Sequence, residues 1–407
     1  MRKKKVLASA FALMLSAVMF SNCSDEDDTA AVTNVIHSLQ LDLPLDMSDA
    51  KLDTATAVMT NVTTGMRYVV GIGSSLKSDN VLIPEGIYNI AVSGTIVYVI
   101  EGESTTANVK ASQENVSVSA SKSISNIALN LFNSKAGLLI TEIFFAGTTT
   151  PEGKQYSDDQ YFKIGNNSDT IMYLDGLAIV ESEFMTTSKQ DYTPNIMEKA
   201  MTVDAIYVFP GNGKQYPIKP GQEVVVALNG KNHLEFNANS IDLSKADFEF
   251  YDESENPNFQ DEDNAKVTNL ENWYDYSMSY FTLHNRGFHS YALAKPEVSK
   301  DEFINNYKYK YTYVFTFNEY SFDKDGEAYK VPNAWIVDAV NLSVEEGFEW
   351  LVTSATLDAG WAHCGTTTSD KTRYGKAVVR KKNGNKWVDT NNSSKDFESE
   401  AKPTLMK

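Results

Sequence analysis

Short apolar runs separated by turn residues recur along the first third of the chain: Leu39–Leu45, Ala55–Asn61, Met66–Ile72, Val81–Ile83, Tyr88–Ser93 and Ile96–Ile100. The runs are rich in β-branched and aromatic residues, which suit a pleated, half-covered surface, and Gly, Asn, Thr and Pro between them allow the chain to turn back. This spacing predicts an all-β sandwich over residues 35–132. A polar break at 132–137 (Phe-Asn-Ser-Lys-Ala-Gly) is followed by denser apolar runs: Leu138–Phe145, Gln160–Gly165, Tyr173–Ile179, Tyr207–Pro210 and Val224–Leu228. The last is uninterrupted, as a strand covered on both faces would be. Gly176 and Pro220-Gly221 mark tight turns, and Gly375–Lys381 reads as a late strand. The fold class expected is mainly β, two sandwiches in tandem with a few short helices. Two helix starts are marked by Ser and Glu at capping-box spacing, Ser299-Lys300-Asp301-Glu302 and Ser343-Val344-Glu345-Glu346.

The opening of the chain has another pattern. Arg2 to Lys5 are basic, Val6 to Phe20 form an apolar run too short to span a membrane, and Cys23 is followed by Ser24-Asp25-Glu26-Asp27-Asp28. That order is a secretory signal. With a cysteine at the cleavage point it resembles a bacterial lipoprotein signal, which implies removal of residues 1–22 and acylation of Cys23. Asn22 departs from the small residue usual before that cysteine. The acidic run resembles the surface-export signal of Bacteroidetes lipoproteins. The resemblance implies a lipid-anchored outer-membrane protein facing the cell exterior, with residues 23–34 as an acidic tether. No later run approaches the ~20 apolar residues of a spanning helix, so attachment would rest on the acyl chains.

The formal charge is −18, and the basic residues before Cys23 make the remainder more negative still. Such a chain lacks the Lys/Arg footprint that neutralises a phosphate backbone, which excludes nucleic acid as a partner. Of the two cysteines, Cys364 has no partner if Cys23 carries lipid. The sandwiches must then be held by their cores.

Two further resemblances concern the fold. Ala57-Val58-Met59-Thr60-Asn61-Val62-Thr63-Thr64-Gly65 and Ile83-Pro84-Glu85-Gly86-Ile87-Tyr88 resemble the Thr-Gly turn and Pro-x-Gly-x-Tyr corner of the carboxypeptidase-regulatory or prealbumin-like module. Such modules serve as spacers or binding platforms. From residue 137 to 407, Ile140-Thr141-Glu142-Ile143, Asn166-Asn167-Ser168, Leu174-Asp175-Gly176-Leu177, Pro220-Gly221-Gln222 and the closing Asp389–Phe397 segment resemble the bacterial lamin-tail domain, an immunoglobulin-like sandwich. On that resemblance, residues from about 230 to 335 are largely insertion. The whole region is similar to an uncharacterised lipoprotein family of Bacteroidetes, a domain of unknown function.

Candidate chemistry is sparse. The chain has no Gly-x-Ser-x-Gly, Walker loop, His-Glu-x-x-His or Cys-x-x-Cys. His363 and Cys364 are adjacent, so on a strand they face opposite sides and cannot act as base and nucleophile through adjacency. Asp252, Glu253, Asp261 and Asp263 are candidate ligands for a structural Ca²⁺, without the spacing of an EF-hand loop. Asp323-Lys324-Asp325-Gly326 fits an ordinary hairpin turn equally well. No other cofactor is expected. Trp273, Tyr274, His284, Arg286 and His289 are the candidate binding residues, an aromatic and polar set suited to a ring-shaped or anionic ligand. The expected function is a non-enzymatic surface lipoprotein that binds a small molecule or glycan. The lipoprotein resemblance implies service to a TonB-dependent transporter of a glycan, a haem or an iron complex. A hydrolase- or nuclease-associated enzyme is one alternative, and an adhesin or structural envelope protein another.

Overall fold

The structure is a computed structural model that describes residues 33–44, 50–100, 103–132, 137–254, 256, 259–277 and 279–406. The expected signal, Cys23 and most of the tether lie outside them. The first domain has strands β1 (Asn34–Asp42), β2 (Lys51–Asn61), β3 (Arg67–Ile72), β4 (Val81–Pro84), β5 (Gly86–Ile100), β6 (Glu103–Val118), β7 (Ile124–Ala128) and β8 (Asn130–Phe132). They form two sheets, β4-β1-β7 and β3-β2-β5-β6-β8. Alternation along β2 turns Leu52, Ala55, Ala57 and Met59 inward, where they meet Leu39, Leu41, Ile90 and Val109. The Asn61 carboxamide oxygen accepts from the amides of Thr63 (3.0 Å) and Thr64 (2.9 Å), and Gly65 supplies the left-handed residue that closes the turn (φ 70°). At the next corner the buried Tyr88 hydroxyl donates to the Pro84 carbonyl (2.8 Å).

The second domain is built from β9 (Leu138–Phe144), β10 (Tyr161–Asn166), β11 (Ala178–Ser182), β12 (Ala200–Val208), β13 (Glu223–Ala227), β14 (Phe248–Glu249), β15 (Thr268–Asn269), β16 (Glu271–Asp275) and β17 (Tyr291–Ala294). After these come α1 (Lys300–Asn306), β18 (Lys308–Phe317), β19 (Tyr320–Pro332), β20 (Ile336–Val340), β21 (Ala377–Arg380) and β22 (Phe397–Ala401). One sheet runs β15-β14-β13-β10-β9-β21-β22 and the other β18-β19-β12-β11-β17-β20, with β16 also paired to β12. The main core lies between them, around Ile140, Phe162, Ile179, Tyr207, Phe250, Tyr291 and Leu293. Both outer faces are covered too: Phe144, Tyr161 and Leu243 pack outside the first sheet, and Val180, Ile206, Phe303 and Trp335 outside the second. Double coverage explains why β9 and β13 read as near-continuous apolar runs.

Several expectations meet specific structure. The segment expected as insertion, 230–335, is partly woven into both sheets, and β17 lies between β11 and β20. Ser299 caps α1, its hydroxyl accepting from the Glu302 amide (3.3 Å). No helix follows Ser343. The amides of Glu345 and Glu346 instead donate to the carbonyls of Gly365 (3.0 Å) and Thr366 (2.9 Å), so the donors a first helical turn would present are taken by a neighbouring segment. Asp323–Gly326 lies in the middle of β19 rather than at a turn; the turn is Asn318-Glu319, with Asn318 left-handed (φ 55°). Glu142 proves structural, accepting from the Tyr161 hydroxyl (2.5 Å) and the Thr404 amide (2.8 Å) and so tying the C-terminal segment to β9. Cys364 is fully buried, and burial pushes its thiol up to about 12, which leaves it unreactive.

Candidate functional site

The hairpin β18–β19 carries a row of aromatic residues that reaches solvent. Its strands pair in register from Lys308 opposite Tyr329 to Phe317 opposite Tyr320. Opposed residues share a face, and every second residue along a strand returns to it. One face therefore carries Tyr309, Tyr311, Tyr313, Phe315 and Phe317, with Tyr320 and Phe322 opposite them. The other carries Lys310, Thr312, Val314 and Thr316 against Ser321, Asp323, Asp325 and Glu327.

This aromatic ladder is buried at its base and bare at its tip. Tyr309 and Tyr311 are 5% and 7% exposed, whereas Phe317 and Tyr320 are 61% and 60% exposed. At the base Phe184 stacks on Tyr192 (centroids 3.7 Å), which meets Tyr311 edge-on (5.3 Å), Tyr313 (5.2 Å) and Trp350 (5.9 Å). The base hydroxyls are occupied: Tyr309 donates to the Pro194 carbonyl (2.6 Å) and Tyr311 to Glu183 (2.5 Å). The segment bearing Tyr192 is pinned to the sheet edge where Thr193 and Thr312 exchange backbone hydrogen bonds (2.9 Å each). Beside it lies a cavity of about 490 Å³ lined by Tyr192, Tyr309 and Trp350 together with Lys189, Gln190 and Asp191. A second, of about 710 Å³, lies on the flank of the hairpin and shares those three polar residues. Burial pushes the Tyr192 phenol up to about 12, so it presents an uncharged ring. Flat neutral rings rimmed by amide and charged groups suit a ligand with an apolar ring face and polar edges.

The residues singled out from the sequence do not converge on the hairpin's aromatic face: Trp273 and Tyr274 form one group, and His284, Arg286 and His289 another, in which the two imidazole rings lie 5.6 Å apart. Trp273 and Tyr274, on β16, pack outside the second sheet against Phe303 (5.9 Å) and Tyr329 (4.4 Å). His284 stacks on Phe288 (4.6 Å), and burial, with His289, Arg286 and Arg373 adding to it, pulls its pKa down to about 4. Arg286 donates to the Thr368 carbonyl (2.8 Å). His289 is buried, with Nδ1 2.5 Å from the Ser182 carbonyl and 3.8 Å from Asp204 Oδ2. The calcium candidates are likewise divided among separate partners. Asp252 accepts from the Tyr207 hydroxyl (2.8 Å), Asn272 (2.6 Å) and the Phe281 amide (2.7 Å), and Asp263 accepts from Asn269 (3.0 Å). Asp261 accepts from the Asp252 amide (3.2 Å), and Glu253 is exposed. Among the described residues, the group with metal-ligand geometry is Glu181, Asp204 and His289. Its sequence signal was a lone carboxylate inside each of two apolar runs, Ala178–Ser182 and Ala200–Val208. The hairpin's signal was the strict period of two from Tyr309 to Phe317.

Fold and site together define a two-domain, mainly β protein with an aromatic cleft in its second domain. A family model described as a protein of unknown function (DUF4876) matches residues 219–404, a span that includes the hairpin. The crystal structure of a DUF4876 family protein from Bacteroides thetaiotaomicron is similar in fold, with a TM-score of 0.55 and 23% identity over 91% of this chain and 96% of that one. No curated protein matches. The likeness is thus to an uncharacterised family represented in Bacteroides.

Proposed function

We propose that this chain is a non-enzymatic, lipid-anchored surface protein that holds a glycan on the aromatic face of β18–β19, as an accessory to a TonB-dependent transporter. The observation that carries the reading is the ladder itself, continuous from a cavity of about 490 Å³ to an exposed tip. Leaving apolar rings in water is unfavourable unless something covers them, and large exposed apolar patches mark interaction sites. A sugar's axial C–H face covers an aromatic ring, while its hydroxyls find Lys189, Gln190 and Asp191. The lipoprotein resemblance of residues 1–28 supports the anchor through Cys23. The Asn61 turn and the Tyr88 corner support a prealbumin-like first domain that acts as a stalk, and the two-sheet second domain is read as lamin-tail-like.

Calorimetric titration of the purified chain with a panel of oligosaccharides, with haem as a non-sugar ring, tests the ligand. Binding of a glycan, weakened at least tenfold by Phe317→Ser or Tyr320→Ser with unchanged thermal unfolding, is the expected result. Failure of the whole panel to bind, or equal binding by both variants, rejects the site. Capture of the tagged lipoprotein from gently solubilised cells tests the partner, and an outer-membrane transporter should co-purify in stoichiometric amount.

A further inference from the structure

We propose that Glu181, Asp204 and His289 form a binding site for a divalent transition metal of the zinc type, buried in the second domain and independent of the ligand reading above. One ligand atom from each side chain lies within 4.8 Å of the others, and all three residues are buried. They come from three separate segments: the end of β11, the middle of β12 and the loop before β17. Asp204 is 4% exposed, yet its Oδ1 has no hydrogen-bond partner. A buried carboxylate oxygen left bare costs free energy that a cation would recover.

The charge balance points the same way. Two carboxylates meet out of water, and among the described residues His289 is the basic side chain that reaches Asp204, with no lysine or arginine paired to either carboxylate. A divalent ion cancels the two negative charges, whereas His289 alone cancels at most one. The Tyr291 hydroxyl donates to Glu181 Oε2 (2.5 Å) and so fixes that carboxylate, and the His289 nitrogen that faces Asp204 Oδ2 is Nδ1 (3.8 Å). An imidazole nitrogen with two carboxylates favours zinc-like ions over Ca²⁺ or Mg²⁺, which take oxygen donors. Tetrahedral ligation at about 2.1 Å sets ligand atoms about 3.4 Å apart, so side-chain rotation closes the group on the ion.

The test uses the full chain, stripped with chelator, then exposed to equimolar Zn²⁺ and Ca²⁺ and dialysed. Elemental analysis should find one equivalent of zinc and background calcium. Zn²⁺ should also raise the melting temperature. Asp204→Asn and Glu181→Gln keep side-chain shape and remove a buried charge, so each should fold without metal at least as stably as the parent. Each should also lose the zinc-induced shift and bind zinc at least tenfold more weakly. Cobalt loaded in place of zinc should give a visible absorption band that His289→Ala abolishes. No retained zinc in the parent chain, preference for calcium, or equal zinc binding by both carboxylate variants overturns the proposal.

Discussion

The two ends of the β18–β19 hairpin share one pattern and differ in everything that surrounds it. At the base, Tyr309 and Tyr311 stand on the same face as Phe315 and Phe317 at the tip, at the same two-residue interval. Phe184, Tyr192 and Trp350 cover the base, and the base hydroxyls have fixed acceptors in Pro194 and Glu183. The tip has no such cover, and Phe317 and Tyr320 keep about three-fifths of their surface in water. Period-two alternation determines which residues share a face, but only packing from distant segments decides whether that face is core or surface. Rings at the base belong to stability, and rings at the tip are free to act on something else.

Substitutions can break that division. Phe184→Ala removes the ring that stacks on Tyr192 and leaves a cavity beneath the ladder, so it should cost about 3–5 kcal/mol in denaturant unfolding and widen the cleft. Acid offers a control outside the hairpin. His284 is held neutral with a pKa of about 4, while the unfolded chain takes up that proton below about 6.5. Its contribution is therefore complete above pH 6.5 and lost as pH falls toward 4, by at most about 3 kcal/mol. His284→Phe should flatten that part of the stability–pH curve and leave the hairpin unchanged. Tyr311→Phe keeps the ring and strips Glu183 of its donor, which should cost about 1–3 kcal/mol without loss of aromatic packing. At the other extreme, Phe317→Ser with Tyr320→Ser should shift stability by no more than about 0.5 kcal/mol and abolish glycan binding. A large loss of stability from the tip pair would erase the distinction between the two ends.

A second pair of residues teaches the same lesson about polar groups. Asp252 and Asp204 are both buried carboxylates. Asp252 receives hydrogen bonds from Tyr207, Asn272 and Phe281, which come from β12, β16 and the segment after it. Asp204 is left with a bare oxygen beside Glu181 and His289. In the sequence Asp252 stood in an acidic stretch and drew notice as a metal ligand, while Asp204 was hidden in an apolar run. Composition pointed to the carboxylate whose needs are met by neighbours.

Much of the architecture was legible along the chain. The Thr-Gly turn capped by Asn61, the Tyr88 corner, the doubly covered strands and the Ser299 cap all follow from contacts within a few residues or from simple periodicity. The helix expected after Ser343 fails because Gly365 and Thr366 supply acceptors from outside the local segment. The insertion expected over 230–335 is partly replaced by strands, since β17 is short and gains its place only by lying between β11 and β20.

The sequence by itself determined the β class, the turns and the strand faces, because these depend on local backbone preference and side-chain period. Tertiary structure alone decided which aromatic rings are covered, which carboxylates are satisfied, and that Glu181, Asp204 and His289 meet. Those outcomes depend on segments far apart in the chain, 108 residues between Glu181 and His289 and 262 between Glu142 and Thr404, and no local pattern records such a pairing.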